Sequence, residues 1–335
     1  MPVNLKLKLT QNLLDIKNIE QIPNRNGYGE GLVLAGRKNE NVVVLCADLT
    51  ESTRSEDFKK EFPDRFVELG VAEQNMASVA SGMAALGKIP FISSYAMFSP
   101  GRNWEQIRTT ICYNNRHVIL GGAHAGVSVG PDGATHQAIE DIAITRVIAN
   151  MTVIVPADVH EARKATVAAV DLDGPVYIRF AREKTPVFTS ALTPFEIGGA
   201  EILWESSSDI CDAAIIACGP LLHNALLAAS ELEKEGISVL VINSHTVKPL
   251  DEKTILQAAR HAGALVTVEE HQVAGGMGSA VAEITARYYP VPIEFIGVKN
   301  RFGESGSPGE LIECFGMAPS HIISAVRAVI KRKQS

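Results

Sequence analysis

One acidic side chain, Glu73, stands where a short apolar segment gives way to an uncharged, helix-forming run. Gly70 precedes it by three residues, and residues 76–86 consist of Met, Ala, Ser, Val, Gly and Leu. A helix of that composition is buried on most of its sides. Glu73 is therefore either a helix-terminal acid favoured by the helix dipole or a buried functional carboxylate, and these residues alone support both interpretations equally.

A glycine-rich loop at residues 121–136 carries His124, Asp132 and His136. Imidazoles exchange protons near neutral pH and glycines let a backbone approach a ligand, so the loop is typical of a polar site. The spacing of its polar residues matches no preformed metal site, and we expect no metal ligands in this chain. A structural alternative is that Asp132 or Thr135 caps a helix beginning at His136, but this leaves His124 unexplained.

Three further polar residues, Arg25, Ser52 and Arg182, lie near predicted strand ends or helix starts. Each alone is an ordinary surface residue. Together with His124 they would form a pocket for an anion, such as the phosphate of a substrate. The chain has neither a G-x-S-x-G turn nor a Cys–His pairing pattern, which disfavours covalent hydrolase chemistry.

The elements that position these residues alternate between strand and helix in both halves of the chain. Runs without polar alternation indicate strands buried on both faces of a parallel sheet, so we predict an α/β fold with two doubly wound domains. Predicted strands of the first half are residues 41–47, 89–95, 117–120, 151–155 and 176–180, and its helices are 27–37, 104–113, 136–149 and 158–169. Predicted strands of the second half are residues 213–218, 237–242, 264–268 and 292–296, and its helices are 221–234, 251–261, 278–288 and two short C-terminal ones.

The alternation breaks in irregular, Pro-containing sequence between residues 181 and 197. This break predicts an N-terminal arm at residues 1–24, a first domain at 25–190 and a second at 195–335. In the second domain, the charged run at residues 269–271 is expected at a solvated or interface edge of the sheet.

The composition limits the class of protein. The formal net charge of -7 over 335 residues argues against non-specific binding to nucleic acid or anionic membranes. We find neither a membrane-spanning run nor a secretory signal. The five cysteines form no CxxC pair and mostly lie in apolar runs, so a reducing, cytoplasmic location is expected.

Two segments together resemble a known family. Residues 129–137, Val-Gly-Pro-Asp-Gly-Ala-Thr-His-Gln, resemble the transketolase signature, and Glu73 within residues 69–75 resembles the activating glutamate of thiamine-diphosphate enzymes. The similarity covers almost the whole chain and matches the C-terminal half of a transketolase. It implies a mainly parallel pyrimidine-binding domain followed by a smaller, mixed-sheet C-terminal domain.

The resemblance implies thiamine diphosphate as the cofactor. Glu73 would hydrogen-bond the aminopyrimidine ring and promote its imino tautomer, Phe98 would pack against that ring, and Asp48 would lie close by. Gly101 occupies the family's next aromatic position, where Trp104 would either compensate or belong to the core.

The resemblance also implies transfer of a two-carbon ketol unit from a ketose phosphate to an aldose phosphate. His136 would transfer protons at the reacting oxygens, and Asp132 would contact a substrate hydroxyl near the reacting carbons. The residues that match the family's phosphate-end positions are Arg25, Ser52, His124 and Arg182.

The family's diphosphate-binding domain carries a Gly-Asp-Gly motif followed by an Asn, and this sequence contains no such pair. The resemblance therefore implies one subunit of a split transketolase. A separate N-terminal subunit would hold the diphosphate and Mg²⁺ or Ca²⁺, and the two chains would assemble as an α2β2 heterotetramer acting on sugar phosphates.

Three alternatives stay open at this point. The β subunit of a 2-oxo acid dehydrogenase has the same two domains and also depends on a partner, although the signature at residues 132–137 favours transketolase. A half resembling deoxyxylulose-phosphate synthase fits residues 72–74 and 247–251. A non-catalytic assembly module would not need an intact Glu73 and His136.

Overall fold

The structure, a computed structural model, describes residues 2–206 and 210–334. Met1, residues 207–209 and Ser335, which fall in the predicted arm and second domain, lie outside the described residues. The strands are β1 (Gln21–Pro23), β2 (Val42–Cys46), β3 (Phe66–Glu68), β4 (Ile89–Tyr95), β5 (Ile119–Ala123), β6 (Thr152–Ile154), β7 (Val176–Arg179), β8 (Lys184–Pro186), β9 (Glu201–Glu205), β10 (Ala213–Ala217), β11 (Val239–Asn243), β12 (Thr246–Lys248), β13 (Leu265–Gln272) and β14 (Ile293–Val298). The α-helices are α1 (Asn24–Lys38), α2 (Glu56–Glu61), α3 (Glu73–Ala85), α4 (Trp104–Gln106), α5 (Asp141–Arg146), α6 (Val159–Ala168), α7 (Leu222–Lys234), α8 (Glu252–Ala262), α9 (Met277–Tyr288), α10 (Pro308–Cys314) and α11 (Pro319–Gln334).

The larger sheet has the strand order β12-β6-β7-β5-β4-β2-β3. All its pairings are parallel except that of β12 with β6. β2, β5 and β7 are buried along their whole length, as their β-branched and apolar sequences require when helices cover both faces. The α/β prediction with a mainly parallel first sheet is confirmed.

The smaller sheet has the strand order β14-β13-β10-β11-β9, and β9 runs antiparallel to β11. The expected mixed sheet of a second domain is therefore confirmed. The edge strand β9 was not predicted from the sequence, and neither was β12, which belongs in chain order to the second half but extends the sheet of the first.

The N-terminal arm packs on the second domain before the chain enters the first. Leu7, Leu13 and Ile19 are buried in one apolar cluster with Trp204 and the inner face of the smaller sheet. His223 bonds the Leu13 carbonyl oxygen at 2.7 Å through its Nε2 atom. β1 then pairs antiparallel with β8, so the arm ties the two domains together.

The helix predicted over residues 136–149 is wrong at its start, because α5 begins at Asp141. Gly130 and Gly133 adopt positive φ values, and the side-chain amide of Gln137 donates to the Gly130 carbonyl at 3.3 Å, so the chain forms a compact loop instead. Neither Asp132 nor Thr135 caps α5, which removes the structural alternative for this loop.

Two other helix predictions need correction. Residues 104–113 form the single turn of α4 followed by a π-helix at Ile107–Cys112, rather than one regular α-helix. The last helix, α11, has 16 residues and is not short. The length and apolarity of the described helices are insufficient for any of them to cross a membrane.

The charged run at residues 269–271 was predicted at a solvated or interface edge of the sheet; it is not solvated, and Glu270 and His271 contact Ser128 and Ala143 of the first domain. Glu269, Glu270 and His271 are all buried near the end of β13. Glu269 accepts the Met277 and Gly278 amides at 2.7 and 2.8 Å and so satisfies the N-terminus of α9. The solvated alternative was wrong because the sequence does not show which amides are near enough to satisfy a buried acid.

Candidate active site

The predicted site residues gather at the carboxyl ends of strands in the larger sheet. β2 leads to Asp48, β3 to Glu73, β5 to His124 and β7 to Arg182. β3 and β4 lie on opposite sides of β2, so the chain reverses its direction across the sheet here. Ligands of open α/β sheets bind in the crevice at such a reversal.

Glu73 is the first residue of α3, and its carboxylate is only 1% exposed. The helix has no side-chain cap, so this acid does not serve as one. Its Oε2 atom lies 3.1 Å from Arg102 Nη1, whose side chain is half exposed. Asn103 donates to the Glu73 carbonyl oxygen at 3.1 Å and fixes the start of the helix. The carboxylate is thus buried, and its side-chain partner is a half-exposed arginine.

Phe98 connects Glu73 to the rest of the site through a series of ring contacts. Arg102 lies over its ring, 5.4 Å from the centroid. Tyr95 stacks on Phe98 at 6.0 Å, and His136 meets the same ring edge-on at 5.5 Å. Tyr95 in turn stacks on His124 with 3.8 Å between centroids.

Arg25 and His124 form the other end of the site. Arg25 Nη1 lies 3.3 Å from His124 Nε2 and donates to the Ser52 carbonyl oxygen at 2.7 Å. Burial, followed by the positive charges of Arg54 and Arg182, lowers the pKa of Arg25. Guanidinium groups that repel one another in a partly buried pocket favour an anion between them.

His124 is neutral at physiological pH. Burial chiefly, and then the charge of Arg25, lowers its pKa to about 3. A guanidinium can only donate, so Nε2 accepts from Arg25 and the ring proton resides on Nδ1. In the part of the chain that the structure describes, this buried Nδ1 atom has no hydrogen-bond partner. It is therefore a donor left for a ligand.

Arg182 and Asp132 lie across the mouth of this pocket. Arg182 Nε is 3.9 Å from Asp132 Oδ2, and its Nη1 donates to the Val129 carbonyl oxygen at 3.0 Å. Glu183 also pairs with Arg182, at 2.8 Å. Asp132 is exposed, so its carboxylate can reach a hydroxyl-bearing ligand.

Asp48 and Ser52 lie in the loop after β2. Asp48 is exposed, and its amide donates to Glu68 Oε1 at 2.8 Å, which ties this loop to the strand before Glu73. Ser52 approaches Arg25 through its backbone carbonyl. The structure brings both residues to the site edge, where Asp48 is tied through Glu68 to the strand before Glu73 and Ser52 lies at the Arg25 end.

Trp104 occupies a different position from the other predicted residues. Its indole N–H donates to the Ile144 carbonyl oxygen at 2.6 Å, and its ring packs against the apolar cluster that contains Met76 and Ile148. These contacts favour the core interpretation for Trp104.

Sequence reasoning missed three residues of the site: Tyr95, Arg54 and Arg102. Tyr95 was assigned only to a strand, although its place as the last residue of β4 marks it as edge-facing. Arg54 lies in the loop after β2 and donates to Asn26 at 3.0 Å. Arg102 carried no signal of its own, because its pairing with Glu73 joins residues 29 positions apart.

The two ends of the site fit the cofactor and substrate that the family resemblance implies. A buried carboxylate beside an aromatic face suits an aminopyrimidine ring. The His124 Nδ1 and Arg25 Nε atoms, which have no hydrogen-bond partner among the described residues, suit an oxyanion. Residues 2–206 and 210–334 contain no group of His, Cys, Asp and Glu arranged to hold a metal.

Two family profiles match the chain. They are described as transketolase, pyrimidine binding domain, over residues 20–187, and transketolase, C-terminal domain, over residues 203–322. A transketolase C-terminal section from Methanocaldococcus jannaschii is 41% identical over 312 residues, covering 92% of this chain and 96% of that protein. The 6-deoxy-6-sulfo-D-fructose transketolase subunit SqwH of Clostridium sp. is 39% identical, covering 92% of this chain and 95% of the subunit.

Human transketolase is 37% identical over 93% of this chain, which spans only 50% of the human protein. A solved structure described as a split gene transketolase, inactive beta4 tetramer, has a TM-score of 0.86 and 43% identity, covering 93% of this chain and 99% of that one. The pyrimidine-binding domain implies binding of thiamine diphosphate. The chain thus belongs to the transketolase family, as a C-terminal section made of the pyrimidine-binding and C-terminal domains and homologous to split transketolases.

Proposed function

We propose that this chain is the C-terminal subunit of a split transketolase that moves a two-carbon ketol unit from a ketose phosphate to an aldose phosphate. The observation that carries the proposal is the placement of two unlike ends in one crevice. The carboxylate of Glu73 lies at one end, and the guanidinium and imidazole of Arg25 and His124 lie at the other. The rings of Tyr95 and Phe98 join them.

A separate N-terminal subunit would complete the site. Support comes from relatives that are themselves C-terminal sections, since this chain covers 96% of the Methanocaldococcus protein. Support also comes from exposed apolar side chains around α3: Val71 is 68% exposed, Leu86 86% and Tyr113 84%. An apolar surface that runs from Val71, next to Glu73, to Leu86 at the far end of α3 favours a partner chain along this helix. We infer an α2β2 assembly in which the partner holds the diphosphate and its Mg²⁺ or Ca²⁺.

At the cofactor end, Glu73 would hydrogen-bond the aminopyrimidine nitrogen and Phe98 would pack against the ring. Thiamine diphosphate supplies the carbon nucleophile and stabilises the charge left on the transferred unit. Because the Glu73 carboxyl group is buried, it would hydrogen-bond the ring nitrogen with little competition from water. Arg102 would leave Glu73 when the ring binds, and Asp48 would face the cofactor from the loop after β2.

At the substrate end, Arg25 and Arg182 would bind the terminal anion, with Ser52 beside them. His124 would donate from Nδ1, because its low pKa keeps the ring neutral and Arg25 occupies Nε2. Asp132 would accept a substrate hydroxyl. His136, half-buried against Phe98, would carry protons to and from the reacting oxygens.

The test is reconstitution. The full chain, mixed with an N-terminal transketolase subunit, thiamine diphosphate and Mg²⁺, should transfer two carbons between sugar phosphates. The same mixture should not decarboxylate pyruvate, which separates transketolase from the dehydrogenase and deoxyxylulose-phosphate-synthase alternatives. Activity of this chain alone would contradict the split-subunit proposal, and absence of transfer in the mixture would favour the assembly module.

The nature of the terminal anion needs its own test. Arginines and a neutral imidazole recognise tetrahedral oxyanions and do not by themselves separate phosphate from sulfonate. A relative at 39% identity is described as acting on 6-deoxy-6-sulfo-D-fructose. Fructose 6-phosphate and 6-deoxy-6-sulfofructose should therefore be compared as donors. Replacing Arg25 with Met should raise KM for the charged sugar and leave that for an uncharged ketose unchanged.

A further inference from the structure

We propose that the C-terminal domain positions the loop at residues 126–137 for sugar binding, with Gln137 and Glu270 as the positioning residues. This inference rests on the proposed function, because Asp132 and His136 belong to that loop. It assigns a task in the reaction to a domain that contributes none of the cofactor-binding residues proposed above.

Gln137, a buried residue at the end of the loop, links the loop to the C-terminal domain. Its side chain is 1% exposed, and its amide group donates to the Val127 carbonyl at 2.9 Å and to the Glu304 carbonyl at 2.8 Å. The first contact closes the loop upon itself, and the second fastens it to the segment before α10. A single amide therefore sets both the shape of the loop and its distance from the second domain.

Glu270 holds the beginning of the same loop. Its Oε1 atom accepts the Ser128 amide at 2.5 Å, and its carbonyl oxygen accepts Arg179 Nη2 at 2.8 Å. The same Arg179 nitrogen donates to the Ala138 carbonyl at 3.2 Å, directly after Gln137. The start of the loop is thus bonded directly to Glu270 of β13. Its end is connected to the same residue through Arg179.

Close backbone packing completes the attachment. A Cβ atom at Gly303 would overlap Gln137 Oε1, and one at Gly126 would overlap the Glu270 carboxylate. A Cβ atom at Gly133 would lie 2.6 Å from Ser305 Oγ. There is no room for the loop and the second domain to shift towards each other, so displacement of one moves the other.

The proposal predicts that sugar binding and cofactor binding respond differently when the loop is disturbed. Phe98 and Glu73 follow other strands, β4 and β3, whereas Asp132 and His136 belong to the loop itself. Loosening the loop should therefore weaken sugar binding and proton transfer without weakening cofactor binding.

The experiment perturbs the contact from each domain separately. Gln137→Leu removes the donor from the first domain, and Gly303→Ala pushes on it from the second. Hydrogen exchange of the full chain should become at least about tenfold faster at residues 126–137 in both variants. In the reconstituted complex, KM for the sugar phosphate should rise about tenfold or more while the apparent affinity for thiamine diphosphate stays unchanged. Because the two variants act on one contact, their combined effect should be less than additive.

Matched variants separate positioning from general damage. Gly309→Ala, in α10 where a Cβ meets open space, should change neither exchange nor KM. Glu270→Gln keeps an acceptor for Ser128 and should stay close to the wild type, whereas Glu270→Leu should behave like Gln137→Leu. Unchanged exchange in Gln137→Leu and Gly303→Ala, or faster exchange with unchanged KM, would overturn the positioning proposal. Absence of transfer by the wild-type complex would overturn the proposed function instead.

Discussion

Glu73 and Glu269 are both buried glutamates beside the N-terminus of a helix, each 1% exposed, yet their surroundings are opposite. Glu269 uses both carboxylate oxygens on backbone amides of α9, Met277 and Gly278. Glu73 caps nothing, and its carboxylate faces the half-exposed Arg102. The dipole of a nearby helix favours both acids, so burial and helix position alone do not tell a structural glutamate from a functional one.

The difference lies in which partners satisfy the charge. Backbone amides are fixed in position by the helix, so both oxygens of Glu269 stay bonded to the N-terminus of α9. A long, half-exposed arginine side chain can be displaced, so the Glu73 carboxylate can accept a new partner. Gly276 and Gly278 support this distinction, since a Cβ at either would crowd the carboxylate of Glu269.

The largest expected effect comes from Glu73→Gln. In the reconstituted complex, the rate of ketol transfer should fall at least about 100-fold, since the variant cannot exchange a proton with the pyrimidine ring. The free energy of unfolding should change by less than about 1 kcal/mol, because the lost ion pair is with a half-exposed arginine. Transfer is measured by a coupled aldose-phosphate assay and stability by urea unfolding. Full turnover in the variant would show that Glu73 has no catalytic role and does not differ from Glu269 in function.

Glu269→Ala should have the reverse profile. It leaves two buried backbone amides without an acceptor, so the free energy of unfolding should fall by about 2–4 kcal/mol. Urea unfolding of the full chain measures this. Glu283→Ala on the same helix, which removes a pair between Arg146 and an exposed carboxylate, should cost at most about 1 kcal/mol. Equal losses in the two variants would show that the cap of α9 is not what Glu269 provides.

His124 extends the comparison to pH. Its pKa is about 3 in the folded chain, against 6.5 for a solvent-exposed histidine of the unfolded chain. Burial is the main cause of the difference, and the charge of Arg25 is the second. Stability linked to His124 is fully present above pH 6.5 and is lost as the pH falls towards 3, because the unfolded chain then binds the extra proton. Between pH 6.5 and 5 the loss should be about 2 kcal/mol. Urea midpoints against pH measure it, and His124→Asn should flatten that part of the curve. An unchanged slope would mean that His124 is not held neutral in the folded protein.

The smallest effect is expected at Trp104. Trp104→Phe removes the hydrogen bond to the Ile144 carbonyl and should lower the free energy of unfolding by about 1 kcal/mol. The affinity of the complex for thiamine diphosphate, measured by fluorescence titration, should be unchanged. A clear loss of affinity for thiamine diphosphate would show that Trp104 contributes to cofactor binding together with Glu73.

Much of the site could be predicted because its residues follow recognisable local patterns. Glu73 sits after a glycine and before an uncharged helix, and His124 follows a buried strand, so parallel-strand geometry places both at one edge of the sheet. Arg54 and Arg102 were missed because their contacts join distant segments, whereas Tyr95 had a local signal, its place at the end of β4, that was not used. The helix expected to begin at His136 was wrong for a related reason, since the Gln137 side-chain amide is drawn into the loop by carbonyls as far away as that of Glu304.

The sequence by itself determined the alternation of strands and helices, the mainly parallel sheet and the type of chemistry at its edge. These follow from hydrophobic periodicity and residue type, which act over a few neighbouring positions. Only the tertiary structure decided that β12 joins the sheet of the other domain, that the acids of residues 269–271 are buried, and which partners Glu73 and Glu269 receive. Those outcomes depend on which distant amide or guanidinium comes within hydrogen-bonding distance, and the packing of two domains sets that distance.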